Sequence, residues 1–327
     1  MAKLPSRRTF LHLSGGALAA PALSHSAFAL DYPTRPVRWI VGFPPGGPND
    51  ITARIVTQYL SERLRQQFVV ENRPGAASNV AAELLARARP DGYTVMELAT
   101  VNAINASLFD KLNFDFVRDI VLVAGIAQGA AVMEVNPAVP ATTVPEFIAY
   151  AKANPGKINM ASSGNGTPQQ VVGELFKMMT GISMVHVPYH GAAPALVDLI
   201  AGQVQVTFDP IQSSIGYIRN GMLRPLAVTT AARVDALPNV PTVGEFIPGF
   251  EARTWQGLGA PKGVPAEIVD LLNREVNAAL AEPTIKAKLA DLGIAPMPMS
   301  PAECQKFIID ETEKWAKVIK FAGIKAD

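Results

Sequence analysis

The sequence predicts an α/β protein built as two doubly wound α/β lobes joined by a two-segment hinge. Three observations carry that expectation. Short runs rich in β-branched residues alternate with amphipathic segments twice, over residues 37–98 and again over 144–229. Two mostly apolar stretches punctuated by glycine, 120–135 and 252–260, part these units and read as the crossings between lobes. A chain of 327 residues is also too long for one ordinary core, and its apolar fraction of 49% is that of a globular protein.

The first unit is organised around Val37 to Arg54. Val37 to Phe43 reads as a buried strand, and the cluster Pro44-Pro45-Gly46-Gly47-Pro48 stops it. Asn49 or Asp50 then caps a helix, because Ile51, Ile55, Val56, Tyr59, Leu60 and Leu64 recur on one helical face. The loop therefore opens on a helix N-terminus, where unpaired N–H groups favour an anion and glycine admits a ligand to the backbone. A carboxylate is the expected guest. Gly42 and Gly47 have the gap of a P-loop, but Pro48 and Asn49 stand where phosphate chemistry needs Lys and Ser or Thr. A turn with no ligand is the alternative.

Strands are expected at Phe68 to Val70 and Thr94 to Leu98, with a helix from Asn79 to Arg89 between them and a loop at Ala99 to Asn105 carrying Thr100 and Asn102. In the second unit, helices are expected at Val144 to Ala153, Gln169 to Thr180 and Ala192 to Ala201. Strands are expected at Ile158 to Ala161, Met184 to Val187, Val204 to Phe208 and Leu226 to Thr229. Three helices close the chain, Ala266 to Ala281, Pro283 to Leu292 and Pro301 to Ala322, and are expected to pack on the first lobe.

The second informative loop is Ser162-Ser163-Gly164-Asn165-Gly166-Thr167-Pro168. It too leaves a strand for a helix, and it adds hydroxyl and amide donors suited to an anion. It lacks G-x-S-x-G, and Gln169 stands where a dinucleotide fingerprint wants glycine. Tyr189 and His190 after the next strand, and Asp209 after the one beyond, are candidates for the same mouth; Asp209 would take an amine or cap a helix. A hydrolase using Ser162 or Ser163 with His190 is a competing function, and a sensor that presents its closed form to a signalling partner is another.

Residues 1–29 read as an export signal: Lys3, Arg7 and Arg8 precede a weakly apolar run, and Ala27-Phe28-Ala29 fits cleavage after Ala29. Ser6-Arg7-Arg8-Thr9-Phe10-Leu11 has the look of a twin-arginine signal. Three of the 29 basic residues and none of the 28 acidic ones lie in it, so the remaining chain carries a net charge of −2 and no nucleic-acid footprint. Cys304 is the only cysteine, which excludes an internal disulfide; neither cofactor nor metal is expected. Lobe 1 is assigned residues 30–130 and 252–327, and lobe 2 residues 131–251.

A set of short matches in fixed order adds a family resemblance. They include Gly46-Gly47 with Asp50 and Ala53-Arg54, Val70-Glu71-Asn72-Arg73-Pro74-Gly75-Ala76 and Pro90-Asp91-Gly92-Tyr93-Thr94. Ser163-Gly164-Asn165-Gly166-Thr167, His186-Val187-Pro188-Tyr189 and Leu237-Pro238-Asn239-Val240-Pro241-Thr242 continue the series. In these the chain resembles the substrate-binding proteins of tripartite tricarboxylate transporters, the Bug family. The resemblance implies a periplasmic binding protein of the type II-like kind. Such a protein is a monomer that captures a small-molecule carboxylate ligand between the lobes and delivers it to the membrane components of a tripartite transporter. It also implies that Phe43, Pro44, Gly46, Gly47 and Asn49 face the loop at Ser162 to Thr167 across the ligand. Two departures lie near this mouth: His190 where Lys is frequent, and Gln169-Gln170 where His-Leu is frequent.

Overall fold

The computed structural model describes residues 31–326, so the export signal read at 1–29 lies outside the described residues. Strand β1 (Val37–Val41) leads into helix α1 (Pro48–Leu64), which β2 (Phe68–Asn72) follows. Next come α2 (Asn79–Ala86), β3 (Thr94–Ala99), α3 (Thr100–Leu108) and the single turn α4 (Phe116–Asp119). One long strand, β4 (Ile120–Val135), opens the second half. That half contains α5 (Val144–Ala153), β5 (Asn159–Ser162), α6 (Pro168–Thr180), β6 (Val185–Pro188), α7 (Ala192–Ile200), β7 (Val206–Pro210), α8 (Ile211–Arg219) and β8 (Arg224–Val228). The chain returns through β9 (Arg253–Pro261) to α9 (Ala266–Ala281), α10 (Pro283–Asp291), the two-residue β10 (Ala295–Pro296) and α11 (Pro301–Ala322).

The strands run in the order β2-β1-β3-β9-β4-β7-β5-β6, with β8 and β10 also paired to β4. Pairing is parallel within β2-β1-β3 and within β7-β5-β6, as strand–helix–strand alternation requires. The middle is antiparallel. β9 inserts between β3 and β4, pairing Met96 with Gly259 on one side and Ile120 with Pro261 on the other. The stretch 120–135 is thus a single strand belonging to both ladders: residues 120–130 pair with β9, and residues 131–135 pair with β7.

Several expectations at element ends are corrected. α1 is capped by Gly47 in an extended conformation, not by Asn49 or Asp50, because Pro48 fills the first helical position, where its missing N–H costs nothing. The segment after β3 is not a loop: Thr100 opens α3, with Asn102 Oδ1 accepting the Ala99 N–H at 2.9 Å. α2 stops at Ala86, three residues early.

The C-terminal helices do not keep to the first half. α11 packs on α3 and β4 and also on α6 of the second half. One buried cluster consequently runs from Ile40, Met96 and Ile104 through Trp255 and Trp315 to Phe176 and Phe208. A second lies between α1, α9 and the opposite face of the first sheet, around Trp39, Leu60, Leu258 and Leu272.

Candidate functional site

A cavity of about 1220 Å³ lies where the two halves face each other. Four helices begin on its wall. Gly46, Pro48 and Asn49 bring the start of α1; Ala99, Thr100 and Val101 that of α3; Gly166, Thr167 and Pro168 that of α6; Pro210, Ile211 and Gln212 that of α8. In none of the four does the side chain of the N-cap residue accept a capping hydrogen bond. Their first-turn N–H groups and the positive ends of four dipoles are therefore turned on one space. Among the described residues, Arg219 is the one cation of the lining and Asp291 the one acid, both exposed. Phe43, Leu108, Phe109, Ile215 and Ile294 supply apolar wall, and Trp255 lies at its base.

The α1 loop is held by its own side chains. Asp50, buried in the first turn, accepts from Gly46 N–H at 2.9 Å, from Asn72 Nδ2 at 2.9 Å and from two nitrogens of Arg54 at 2.9 Å. The Arg54 guanidinium and these N–H donors lower the Asp50 carboxyl to about 2. Asn72 also reaches Phe43 O at 3.0 Å. The motif residues Asp50, Arg54 and Asn72 thus shape the loop from behind.

The second loop is tied to His186. Gly166 N–H donates to Gln170 Oε1 at 2.7 Å, which turns Gln170 Nε2 toward His186 Nδ1 at 3.1 Å. With Nδ1 accepting, Nε2–H is the donor to Ser162 Oγ at 2.6 Å, and the Ser162 hydroxyl passes to Gly164 O at 3.0 Å. Burial holds the imidazole pKa below its usual value, in keeping with a neutral ring. Ser162 is therefore an acceptor from this imidazole, the wrong polarity for a nucleophile with its base.

Of the residues picked from sequence, Phe43, Gly46, Asn49, Thr100, Asn165, Gly166 and Thr167 line the cavity. The others stand apart. Pro44 is exposed, and Gly47 turns the chain as N-cap. Asn102 is buried between Ala99 and Ser78. Ser162 and Gly164 serve the loop's internal hydrogen bonds, while Ser163 O accepts from Gly191 N–H at 3.2 Å. Tyr189 donates to Asp198 at 2.7 Å, and His190 is exposed while the histidine bonded to Ser162 is His186, so the Ser162–His190 pair of a hydrolase is not assembled. Asp209 is corrected from mouth to interior: it is 2% exposed and accepts from Gln169 at 3.4 Å, and burial raises its pKa to about 6. It makes no cap for α8, whose N-cap is Pro210.

Sequence reading missed the α8 contribution and the turn after α10. The signal for α8 was present in Ile211, Ile215 and Ile218, spaced as one helical face. The cleft is bridged at two places. Gly166, at φ +71°, packs so closely on Leu108 of α3 that a Cβ there would lie 2.3 Å from Leu108 Cδ2. On the far side, Gln212 of α8 meets Gly293 after α10, where an added Cβ would come within 3.0 Å of it.

Two α/β halves facing each other across a cleft of helix N-termini have the architecture of a two-lobed solute-binding receptor. The chain belongs to the tripartite tricarboxylate transporter family receptors, whose family model matches residues 52–324. It is 33% identical over 311 residues to protein BugT of Bordetella pertussis, covering 94% of this chain and 95% of that one. Among solved structures, Rpa4515 of R. palustris with adipate is 38% identical with a TM-score of 0.74, over 90% of this chain and 99% of that one. MatC of Rhodopseudomonas palustris with bound malate is 30% identical with a TM-score of 0.71, over 88% of this chain and all of that one. The periplasmic binding protein BugD is 30% identical with a TM-score of 0.71, over 90% of this chain and all of that one.

Proposed function

We propose that the protein is a periplasmic receptor that captures a small carboxylate between its lobes and delivers it to the membrane components of a tripartite transporter. The observation that carries this reading is the convergence of four helix starts, none capped by a hydrogen bond to the side chain of its N-cap residue, on a cavity lined by one exposed arginine. Helix ends contribute roughly 0.3–1 kcal/mol each to an exposed charge, whereas a micromolar complex needs about −8.2 kcal/mol. Hydrogen bonds to a charged group, roughly 1.5–3 kcal/mol each, make up the difference once water is excluded. That argues for closure of one lobe on the other, with 30–130 and 252–327 moving against 131–251.

Relatives of this chain with bound adipate and bound malate support a carboxylate as the guest. The donor role of His186 toward Ser162 speaks against a hydrolase. Export through the signal at 1–29, cleavage after Ala29 and action as a monomer complete the reading. A thermal-shift panel of mono-, di- and tricarboxylates on the mature protein tests it: a tight ligand raises the melting temperature by mass action. No shift with any carboxylate overturns it.

A further inference from the structure

The turn that leads into α6 is held at three backbone groups by side chains that meet on one imidazole. Along β6 the side chains alternate: Val187 packs with Ala195 and Leu196 of α7, whereas His186 faces β5 and α6. At Nε2 the ring meets Ser162 Oγ at 2.6 Å, and that hydroxyl also accepts from Gly164 N–H at 3.2 Å and donates to Gly164 O at 3.0 Å. At Nδ1 it meets Gln170 Nε2 at 3.1 Å, while Oε1 of the same amide accepts from Gly166 N–H at 2.7 Å. Gln170 is buried, so water does not replace these bonds freely. It also occupies one of the positions at which the chain departs from the family pattern, so the resemblance does not imply the link.

A backbone N–H can only donate. Gly166 therefore fixes the orientation of the Gln170 amide, the amide makes Nδ1 an acceptor, and the neutral ring carries its proton on Nε2. A second proton must go to Nδ1, where it confronts the Gln170 amide hydrogens. If the amide turns over to receive it, two donors confront each other at Gly166 instead. Either way one link is lost in a place where an unmatched donor is costly. Gly166 lines the cavity and packs on Leu108 of α3 across the cleft, so this link bears on both the cavity edge and the contact between the halves. We propose that His186 is a positioning residue for the ligand loop, and that a proton taken up at Nδ1 breaks the relay to Gly166 and weakens the hold on a bound carboxylate. This rests on the receptor reading above and adds a pH dependence to its site. On α6 the charged group acting on the ring is Lys177, itself paired with Glu174 at 2.8 Å. β5 (Asn159–Ser162) contributes no charge, and α7, on the opposite face, has its Asp198 engaged by Tyr189. Burial and Lys177 both oppose protonation, so the effect develops on the acid side of the usual histidine range.

Solution NMR and calorimetry of the mature protein test the inference. Without ligand, the Gly166 amide signal moves with the same midpoint as the His186 imidazole. Malate and adipate, the acids bound by two relatives, serve as probes of affinity. Relative to His186→Gln, which has no proton to gain and so cancels the ligand's own titration, wild-type affinity falls by about threefold or more from pH 7.5 to pH 5.5. Gln170→Glu is the sharper variant, because the introduced carboxylate accepts from Gly166 N–H and from a protonated imidazole alike. It raises the proton affinity of His186 by about tenfold or more and removes the acid loss, whereas a glutamine that only filled space would leave that loss in place. A Gly166 amide indifferent to the titration of His186 overturns the inference, as does an acid loss that persists in both variants. The amide is read without ligand, so failure of every carboxylate to bind defeats the receptor reading and leaves the relay to be decided by the Gly166 signal.

Discussion

Asp209 shows how burial can make a residue picked for its charge hold its proton to a higher pH than an ordinary carboxyl. Its carboxyl lies beside Glu134, whose two oxygens also lack partners and whose pKa burial raises well above the usual range. With Asp209 raised to about 6, the unfolded chain releases this proton near pH 3.8 and the folded chain only near 6. Stability should therefore fall as pH rises across that window. Asp209→Asn should flatten the slope, measured as urea midpoints between pH 4 and 7; an unchanged slope refutes the assignment. Gly166 is the opposite case, a residue chosen for its permissiveness and found at a lobe contact. Gly166→Ala meets Leu108 at a positive φ, so weaker ligand binding with an intact fold is expected, and calorimetry checks it. Asn165 to Thr167 could be read from sequence because strand–loop–helix junctions announce themselves. The fates of Tyr189, His190 and Asn102 could not, since each depends on a partner that the sequence does not place: Asp198 for Tyr189, Ser78 for Asn102, and solvent for His190.

At the level of elements, most strands and helices followed from periodicity, and the misses share a cause. α3 and α8 both begin directly after the last residue of a strand, at Thr100 and Ile211, with no intervening polar cluster to mark a helix start. Val101, Ile104 and Leu108 carried the helical spacing of α3, but Thr and Asn in its first turn resemble loop chemistry. The start of α1 depends on Asp50 more than on its cap. Asp50→Asn removes the charge that Arg54, Gly46 and Asn72 converge on and should cost about 1–3 kcal/mol. Thermal melts at pH 7 check this. Because the folded pKa is lowered to about 2, the contribution is complete above about pH 4 and is lost as pH falls through 2. The difference between wild type and variant should therefore shrink in acid.

For the molecule as a whole, two crossings and the doubly wound halves were legible, whereas their degree of fusion was not. A shared strand and a helix that packs on both halves leave a buried cluster that spans the two, so thermal unfolding should be a single transition with coincident signals from Trp39 and Trp255, which lie in different clusters. Two resolved transitions would contradict it. Ligand at saturation should reduce the radius of gyration in solution scattering, the sign of lobes drawing together, and an unchanged curve would speak against closure.

The insertion of β9 between β3 and β4 has a bearing on biosynthesis. A ribosome that has delivered residues 31–250 has made both neighbours of that slot and nothing to fill it, so β3 and residues 120–130 of β4 present bare edges to each other. Completion waits on sequence some 130 residues downstream of β4, a separation that slows folding. A chain stopped at 250 should bind chaperones and aggregate, and only the nearly finished polypeptide can acquire its native form.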